Sequence, residues 1–356
     1  MINIFGPINN LGTGIHVYNM CNALDRLGQD VCLIPPYGRV TKTDAFVQKW
    51  LSNQINFSKH NPGLMIFDMG FMGQFVGTPR IGFAVFETNK IDLIRLRFLS
   101  SCDVVVTPSH WAQGVLKTHG IESFVVNEGY DETFYEVQRT PQSQSFKFLH
   151  IGKFEERKGT KQILKCFSQV SNDSPITLLM HIDNPFLQDV GDLFHYLRSL
   201  GFTKATQDSW VMSNKNKEII FTHEMQDLTD LYSMADVGVF PSKGEGWGLP
   251  ILECIVSGVP VIAGNWSGQS EFLDGMPDNL RLQEVNSEIA NDGVWFHGNS
   301  GSWYATTDQE LLLRMDHAYF QGRKFRDSIS WKEYVAKVRE KFTWANAAKG
   351  LLELLK

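Results

Sequence analysis

Two glutamates, Glu245 and Glu253, lie eight positions apart in a glycine-rich stretch whose residue types suit a phosphorylated ligand. The stretch covers residues 238–265 and has the sequence G-V-F-P-S-K-G-E-G-W-G-L-P-I-L-E-C-I-V-S-G-V-P-V-I-A-G-N. The pattern predicts a strand–loop–helix–strand unit. An apolar run is followed by a glycine turn, then by a helix with Pro250 in its first turn, and then by a second apolar run. Such units bind phosphate groups at the helix amino terminus, where backbone N–H groups lack intrahelical partners.

The spacing of the two acids suits them to different parts of one ligand. Glu245 precedes the predicted helix, and Glu253 lies about one turn inside it, roughly 5–8 Å further along the axis. One carboxylate can therefore meet the hydroxyls of a sugar while the other meets those of a ribose. Gly244, Gly246 and Gly248 leave the backbone free to approach the ligand closely. The alternative is an ordinary glycine-rich turn with a solvated Glu253, and the complete string favours the nucleotide-sugar site over it.

Length and composition indicate a two-domain globular protein. The chain has 356 residues, more than one hydrophobic core usually serves, and its 43% hydrophobic and 20% charged residues are ordinary proportions. The net charge of -6 argues against a large nucleic-acid footprint, and no apolar run is long enough to span a membrane. Five cysteines without a C-x-x-C pair predict buried, reduced thiols. The amino terminus, M-I-N-I-F-G, lacks the features of a signal peptide, so we expect a cytoplasmic protein.

The elements that must position these residues alternate between strand and helix. Residues 2–35 predict a strand, a glycine loop, a helix and a second strand, and apolar runs at 64–68, 82–86, 104–107 and 124–126 predict further strands. A polar segment at 136–145 predicts a linker, after which the alternation restarts at 146–151. This pattern predicts an α/β protein with two Rossmann-like, doubly wound domains, 1–138 and 145–330, that face each other across a cleft. The last helical pattern, about 331–356, is long enough to pack back on the first domain.

The 238–265 stretch resembles the nucleotide-sugar signature of the retaining GT-B glycosyltransferases of family 4, also called group 1. That signature is a glutamate, seven residues, a second glutamate and then G-x-P-V. The resemblance implies that Glu245 contacts the transferred sugar and Glu253 the ribose. A second block, F-L-H-I-G-K-F-E-E-R-K-G, resembles the family's G-R…K-G loop, which implies that Lys153 and Lys158 neutralise the donor diphosphate. Without the family, two solvated surface lysines would be the ordinary interpretation.

The resemblance extends over essentially the whole chain. The strings P-S-H-W, N-E-G-Y-D and F-T-W match family motifs that we interpret as scaffold. The family's main-chain contacts to the nucleobase imply a role for Met225. The remaining donor-binding residues that the resemblance implies lie in the amino-terminal glycine turn and around the start of the predicted helix: Gly12, Thr13, Gly14, Gly246, Trp247, Gly248 and Leu249.

Two positions depart from the family pattern. The string V-F-E-T places Glu87 where the family often has a histidine on the acceptor side of the sugar, so Glu87 is a candidate base or sugar contact. His223 stands where a glycine is usual, which leaves the identity of the nucleobase open.

The resemblance implies a retaining glycosyltransferase that needs no metal and no cofactor beyond its nucleoside-diphosphate-sugar donor. Glu245, Lys158, Lys153 and Glu87 are the predicted catalytic residues. The acceptor stays open among glycans, lipid-linked sugars, proteins, small molecules and modified nucleic acids. Residues 89–98 are basic and apolar, so peripheral attachment to the inner face of a membrane, without stable insertion, also stays open. The alternatives are a nucleotide-sugar epimerase, a phosphorylase with a pyridoxal cofactor, or a catalytically silent binding module.

Overall fold

Each half of the chain is built around a parallel β-sheet. The computed structural model describes residues 1–38, 40–137, 140, 144–182, 191–222, 228–283, 286–293 and 296–356. In the first half, six parallel strands form a sheet in the order β2-β1-β3-β4-β5-β6. The strands are β1 (Ile2–Phe5), β2 (Val31–Ile34), β3 (Gly63–Met65), β4 (Arg80–Phe83), β5 (Val104–Thr107) and β6 (Phe124–Val125). The helices are α1 (Gly12–Arg26), α2 (Ala45–Ser52), α3 (Leu93–Leu99) and α4 (His110–Thr118).

The second half contains an eight-stranded sheet in the order β14-β13-β12-β7-β8-β11-β10-β9. Its strands are β7 (Phe146–Gly152), β8 (Ile176–Ile182), β9 (Thr203–Lys204), β10 (Ser209–Met212), β11 (Lys217–Phe221), β12 (Val237–Phe240), β13 (Val261–Gly264) and β14 (Arg281–Leu282). The helices are α5 (Thr160–Gln169), α6 (Gly191–Ser199), α7 (Leu228–Met234), α8 (Leu249–Val256) and α9 (Ser270–Leu273). The two strands β9 and β10 run antiparallel at one edge, and the sequence pattern did not predict them.

Burial explains why the parallel strands are apolar throughout. Helices cover both faces of each sheet, so strands such as β12 and β13 are buried at every residue and lack the alternation of a half-exposed strand.

Several helices begin at a side chain that accepts a hydrogen bond from a free backbone N–H of the first turn. Asp44, Ser109 and Thr307 have this role for α2, α4 and the helix at Asp308–Asp327, which we call α10.

A hairpin follows the second sheet and contacts the first half of the chain. Its strands, β15 (Asn286–Asn291) and β16 (His297–Ala305), pair antiparallel. The backbone N–H of Ser302 donates to the side-chain oxygen of Asn89 at 2.8 Å. Trp303 of β16 is buried, and the backbone N–H of Tyr304 donates to the carbonyl of Lys243 at 2.9 Å. The hairpin therefore connects the segment after β4 to the loop after β12.

The carboxy-terminal pattern predicted as one helix is in fact two, α11 (Ile329–Lys341) and α12 (Trp344–Glu353). That prediction was wrong because Phe342 is not helical and the Thr343 hydroxyl caps α12 by accepting from the N–H of Asn346. Only the end of the segment packs on the first half of the chain: Thr343 pairs with Tyr130, and the ring of Trp344 lies 5.1 Å from that of His16. Helix α11 packs on the second half instead, where the Tyr334 hydroxyl donates to the carbonyl of Phe272 at 2.5 Å. Half of the predicted linker at 136–145, namely residues 138–139 and 141–143, lies outside the described residues.

Replacing Trp331 by alanine is expected to destabilise the protein by about 3–5 kcal/mol, because the substitution leaves a large cavity. The indole is 1% exposed, packs against Phe325 and Tyr334, and donates to the carbonyl of Gly258 at 3.1 Å. Chemical denaturation followed by circular dichroism measures the change. Leu313→Ala, at a residue that is 58% exposed, is the control and should change stability by less than about 0.5 kcal/mol. Equal effects of the two substitutions would contradict the assigned packing.

Candidate active site

A buried carboxylate with two cationic partners forms the centre of the site. Lys158 Nζ lies 2.6 Å from Glu245 Oε1, and Arg157 Nη1 lies 3.2 Å from Glu245 Oε2. Arg157 also donates to the carbonyl of Gly244 at 2.6 Å and, through Nη2, to Glu155 Oε1 at 2.6 Å. Glu245 and Arg157 are both less than a tenth exposed. A carboxylate paired in this way is fixed in position and ionised.

Two neighbouring strands bring these residues together. β7 ends at Gly152, and a short 3-10 helix, Glu156–Lys158, follows and terminates at Gly159 with φ +69°. β12 pairs with β7 in parallel and ends at Phe240, shortly before Glu245. Because the carboxyl ends of parallel strands meet at one edge of a sheet, the loops after them face each other. The predicted proximity of the lysine loop and the Glu245 loop is therefore present in the structure.

The glycine loop is packed so closely that side chains have no room. A Cβ on Gly244 would overlap the carbonyl oxygen of Glu87, and a Cβ on Gly246 would overlap the Val85 side chain. On the opposite side, Gly268 lies directly against the carbonyl of Gly246. The loop that carries Glu245 is thus held between the two halves of the chain.

The charges of the cluster act on one another. Burial by itself raises the pKa of Glu245, but Lys158 and Arg157 outweigh it and lower that pKa to about 2. Burial raises the pKa of Glu87, with Arg157 opposing and Glu245 reinforcing the change. Burial also lowers the pKa of Lys153. Glu87, from the first half, therefore lies in the same electrostatic field as the cations of the second.

Glu253 occupies a different environment from Glu245. It lies one turn inside α8, is 6% exposed, and accepts a hydrogen bond from the Tyr232 hydroxyl at 2.7 Å. Burial raises its pKa to about 7, although the Tyr232 hydroxyl opposes this. Glu253 thus accepts a hydrogen bond from a hydroxyl, that of Tyr232, and a ribose would offer the same kind of donor. The contact between Glu253 and a ribose stays a prediction.

The other predicted donor-binding residues lie at helix amino termini. Gly12 begins α1 just after β1; Gly12 and Thr13 are exposed, whereas Gly14 is buried with its Cα against Asn9. Gly248 has φ +101° and immediately precedes Leu249, the first residue of α8, whose side chain is buried.

The indole of Trp247 packs in the core against Phe272 and Phe342, so only the backbone of Trp247 could face a donor. Met225 and His223 lie outside the described residues.

Arg157 is the residue that sequence reasoning missed. It stands between the predicted residues Lys153 and Lys158 in the string K-F-E-E-R-K-G, but the family motif gives this position no role. Ser267 was also missed: its hydroxyl accepts from the backbone N–H of Glu245 at 3.0 Å. A buried arginine cannot be recognised from sequence alone, since an arginine in such a loop is ordinarily solvated.

The described part of the chain contains neither a cluster of metal-type ligands nor a helix of membrane-spanning character. Within the described ranges, no group of three or more His, Cys, Asp or Glu side chains has the arrangement of a metal site. In the same ranges, no helix has the length and apolar content needed to cross a bilayer.

Residues 145–292 match the family model described as "Glycosyl transferases group 1". Among curated proteins, the chain is 26% identical to the serotype-specific mannosyltransferase WbdA of Escherichia coli over 212 residues, which cover 58% of this chain and 21% of that protein. It is 30% identical to a D-inositol 3-phosphate glycosyltransferase of Saccharomonospora viridis over 115 residues, 27% of each protein. The matches span 13% to 21% of the length of the first curated relatives.

Solved structures resemble the chain over its full length. Sucrose-phosphate synthase of Thermosynechococcus elongatus superposes with a TM-score of 0.71 and 15% identity, covering 99% of this chain and 98% of that one. HepE of Anabaena in complex with UDP-glucose gives a TM-score of 0.68 and 14% identity, covering 100% and 99%. At these identities the likeness establishes the fold.

Replacing Glu253 by glutamine is expected to change how stability depends on pH. The folded protein retains a proton on Glu253 between pH 4.5, the ordinary pKa, and about 7, whereas the unfolded chain has lost it. Stability therefore falls as pH rises through this window, by about 1–3 kcal/mol in total, and Glu253→Gln removes that loss. Urea denaturation at several pH values measures the difference between variant and wild type. A difference that is the same at all pH values would contradict the assignment; the exposed Glu340→Gln is the control.

Proposed function

We propose that this chain, which has the GT-B fold and contains a group 1 glycosyl transferase domain at residues 145–292, is a retaining glycosyltransferase. In our proposal it moves a sugar from a nucleoside diphosphate to an acceptor hydroxyl, in the cytoplasm and without a metal. The observation that carries the proposal is the ionised Glu245, paired with Lys158 and Arg157 beside the start of α8. At this point the sugar of a donor could contact Glu245 while its diphosphate contacts the amino terminus of α8.

A nucleoside-diphosphate sugar is the donor that these residues suit. Lys153, Lys158 and the amino terminus of α8 would hold the diphosphate, because cations and free N–H groups stabilise phosphate charge. Glu245 would accept hydrogen bonds from sugar hydroxyls and Glu253 from the ribose. The complexes of HepE with UDP and with UDP-glucose, and the mannosyltransferase activity in the name of WbdA, support a donor of this class.

The reaction exchanges one bond at the anomeric carbon for another. The bond from that carbon to the phosphate oxygen breaks, and a bond to the acceptor oxygen forms on the same face of the sugar. The nucleoside diphosphate departs with the electron pair, and Lys153 and Lys158 stabilise its charge. The acceptor proton passes to the departing phosphate oxygen or to Glu87, whose carboxylate belongs to the opposite half of the chain.

A donor panel tests the class of reaction. UDP-, GDP-, ADP- and dTDP-sugars are screened by thermal shift, since a bound ligand raises the melting temperature, and the donor that binds is then assayed for transfer and for slow hydrolysis. Glu245→Ala and Lys158→Ala should abolish turnover while the protein stays folded. The exposed Glu333→Ala and Lys332→Ala are matched controls and should keep full activity. Turnover that survives both site substitutions would show that the site is wrong, and donor turnover that yields an epimer without acceptor would replace transfer by epimerisation.

Glu87→Gln should lower transfer at least about a hundredfold if Glu87 is the general base. Because burial raises the pKa of Glu87, wild-type turnover should increase with pH through a range above that of an ordinary carboxyl, and the variant should lose this dependence. Steady-state rates across pH, with donor saturating, provide the measurement. Near-normal turnover of Glu87→Gln would leave the phosphate oxygen as the only proton acceptor.

A further inference from the structure

Arg157 is unusual because its guanidinium is buried and contacts three acceptors at once. It lies near Glu245, the Gly244 carbonyl and Glu155, and the arginine as a whole is 6% exposed. Its backbone carbonyl also accepts from the N–H of Lys243 at 2.7 Å. Such a side chain cannot leave its position without breaking several hydrogen bonds in a low-dielectric environment.

Lys158 differs from Arg157 in this respect. Its ammonium group donates to Glu245 at 2.6 Å, and its flexible stem passes Gly152, where a Cβ would lie 3.6 Å from the Lys158 Cδ. An ammonium group on a flexible stem can change partner more easily than a fixed guanidinium fork. Glu245 is therefore held by one fixed cation and one movable cation.

Donor binding creates a competition for Lys158. A diphosphate that takes Lys158 removes one of the two cations from Glu245. The other ionisable groups of the cluster are Lys153, Glu87, Glu155 and the buried, neutral His150 of β7. In the proposed function Lys153 binds the diphosphate together with Lys158, and neither the two carboxylates nor the neutral His150 can replace a cation. A buried carboxylate that loses its only cation is strongly disfavoured, so the remaining partner decides whether Glu245 stays ionised.

We propose that Arg157 is a positioning residue that keeps Glu245 ionised and oriented while Lys158 transfers its bond to the donor diphosphate. The inference rests on the proposed function, because it requires a diphosphate in this site. It assigns the two neighbouring cations of the E-E-R-K-G string different tasks: Arg157 serves the carboxylate, and Lys158 serves the phosphate.

The proposal predicts a proton linkage that a purely structural arginine would not produce. In Arg157→Met, Lys158 is what remains of the two cations that the structure pairs with Glu245, and diphosphate binding removes it. Glu245 must then take up a proton when the ligand binds, so affinity increases as pH falls. In the wild type, Arg157 keeps Glu245 ionised in both states, and binding should take up no proton through Glu245.

Isothermal titration calorimetry tests this prediction in buffers of different ionisation enthalpy, with whichever of UDP, GDP, ADP and dTDP the wild-type protein binds. Arg157→Met should bind the nucleotide at least about tenfold more weakly than the wild type at pH about 8, and should take up close to one proton per nucleotide bound. Lys158→Met should also bind more weakly but without proton uptake, because Arg157 remains beside Glu245. Arg157→Lys, which restores the charge without the fork, should reduce the proton uptake again.

Arg323→Met is the matched control. Arg323 forms an ion pair with Asp236, with two N–O distances of 3.0 Å, away from the glycine loop, so its loss should reduce stability without altering binding or proton uptake. Equal proton uptake by Arg157→Met and the wild type would overturn the proposal, as would proton uptake confined to Lys158→Met. If Arg157→Met does not fold, Arg157→Gln, which keeps a hydrogen-bond donor but no charge, takes its place with the same expected proton uptake. Wild-type protein that binds none of UDP, GDP, ADP and dTDP would instead refute the proposed function, and the inference with it.

Discussion

The burial of the Glu245 carboxylate between two cations is the interaction on which the rest of the site depends. A lone carboxylate at this depth would be protonated, so Glu245 depends on its cations, whereas the buried Arg157 guanidinium is balanced by Glu155 as well as by Glu245. The pair forms because β7 and β12 are adjacent and parallel, which places the loops after them face to face. The order of strands in the second sheet is thus a precondition for the chemistry, and not only for stability.

The second constraint is steric. Gly244, Gly246 and Gly268 are in contact with backbone or side-chain atoms that a Cβ would overlap. At Gly244 and Gly246 the neighbouring atoms belong to the first half of the chain, to Glu87 and Val85. The same residues therefore allow a ligand to approach the backbone and allow the two halves to approach each other. A larger side chain here would separate Glu87 from the cation cluster as well as obstruct a ligand.

Sequence reasoning succeeded where a local pattern determines the structure. The unit from β12 to β13 was predicted because buried parallel strands are continuous apolar runs and because Pro250 and Gly248 suit a helix start. It failed where tertiary contacts decide. The β15–β16 hairpin is polar and glycine-rich, and its position depends on partners such as Asn89 and Lys243 that are distant in sequence. The burial of Arg157 depends in the same way on Glu155 and on the loop after β12.

Contacts between the halves of the chain explain why Glu87 lies in the field of the cation cluster although it belongs to the first half. The loop that carries Glu87 is held from two directions, by Gly244 on the glycine loop and by the hairpin through Asn89. Elsewhere on the boundary, the carboxylate of Glu271 accepts from the backbone N–H of His110 at 2.9 Å and contacts its ring. Apolar contacts add to these polar ones, since the ring of Phe134 in the first half packs against that of Tyr232 in the second. The field that Arg157 and Glu245 impose on Glu87 therefore depends on contacts between the two halves of the chain, so a substitution that loosens those contacts also changes the environment of Glu87.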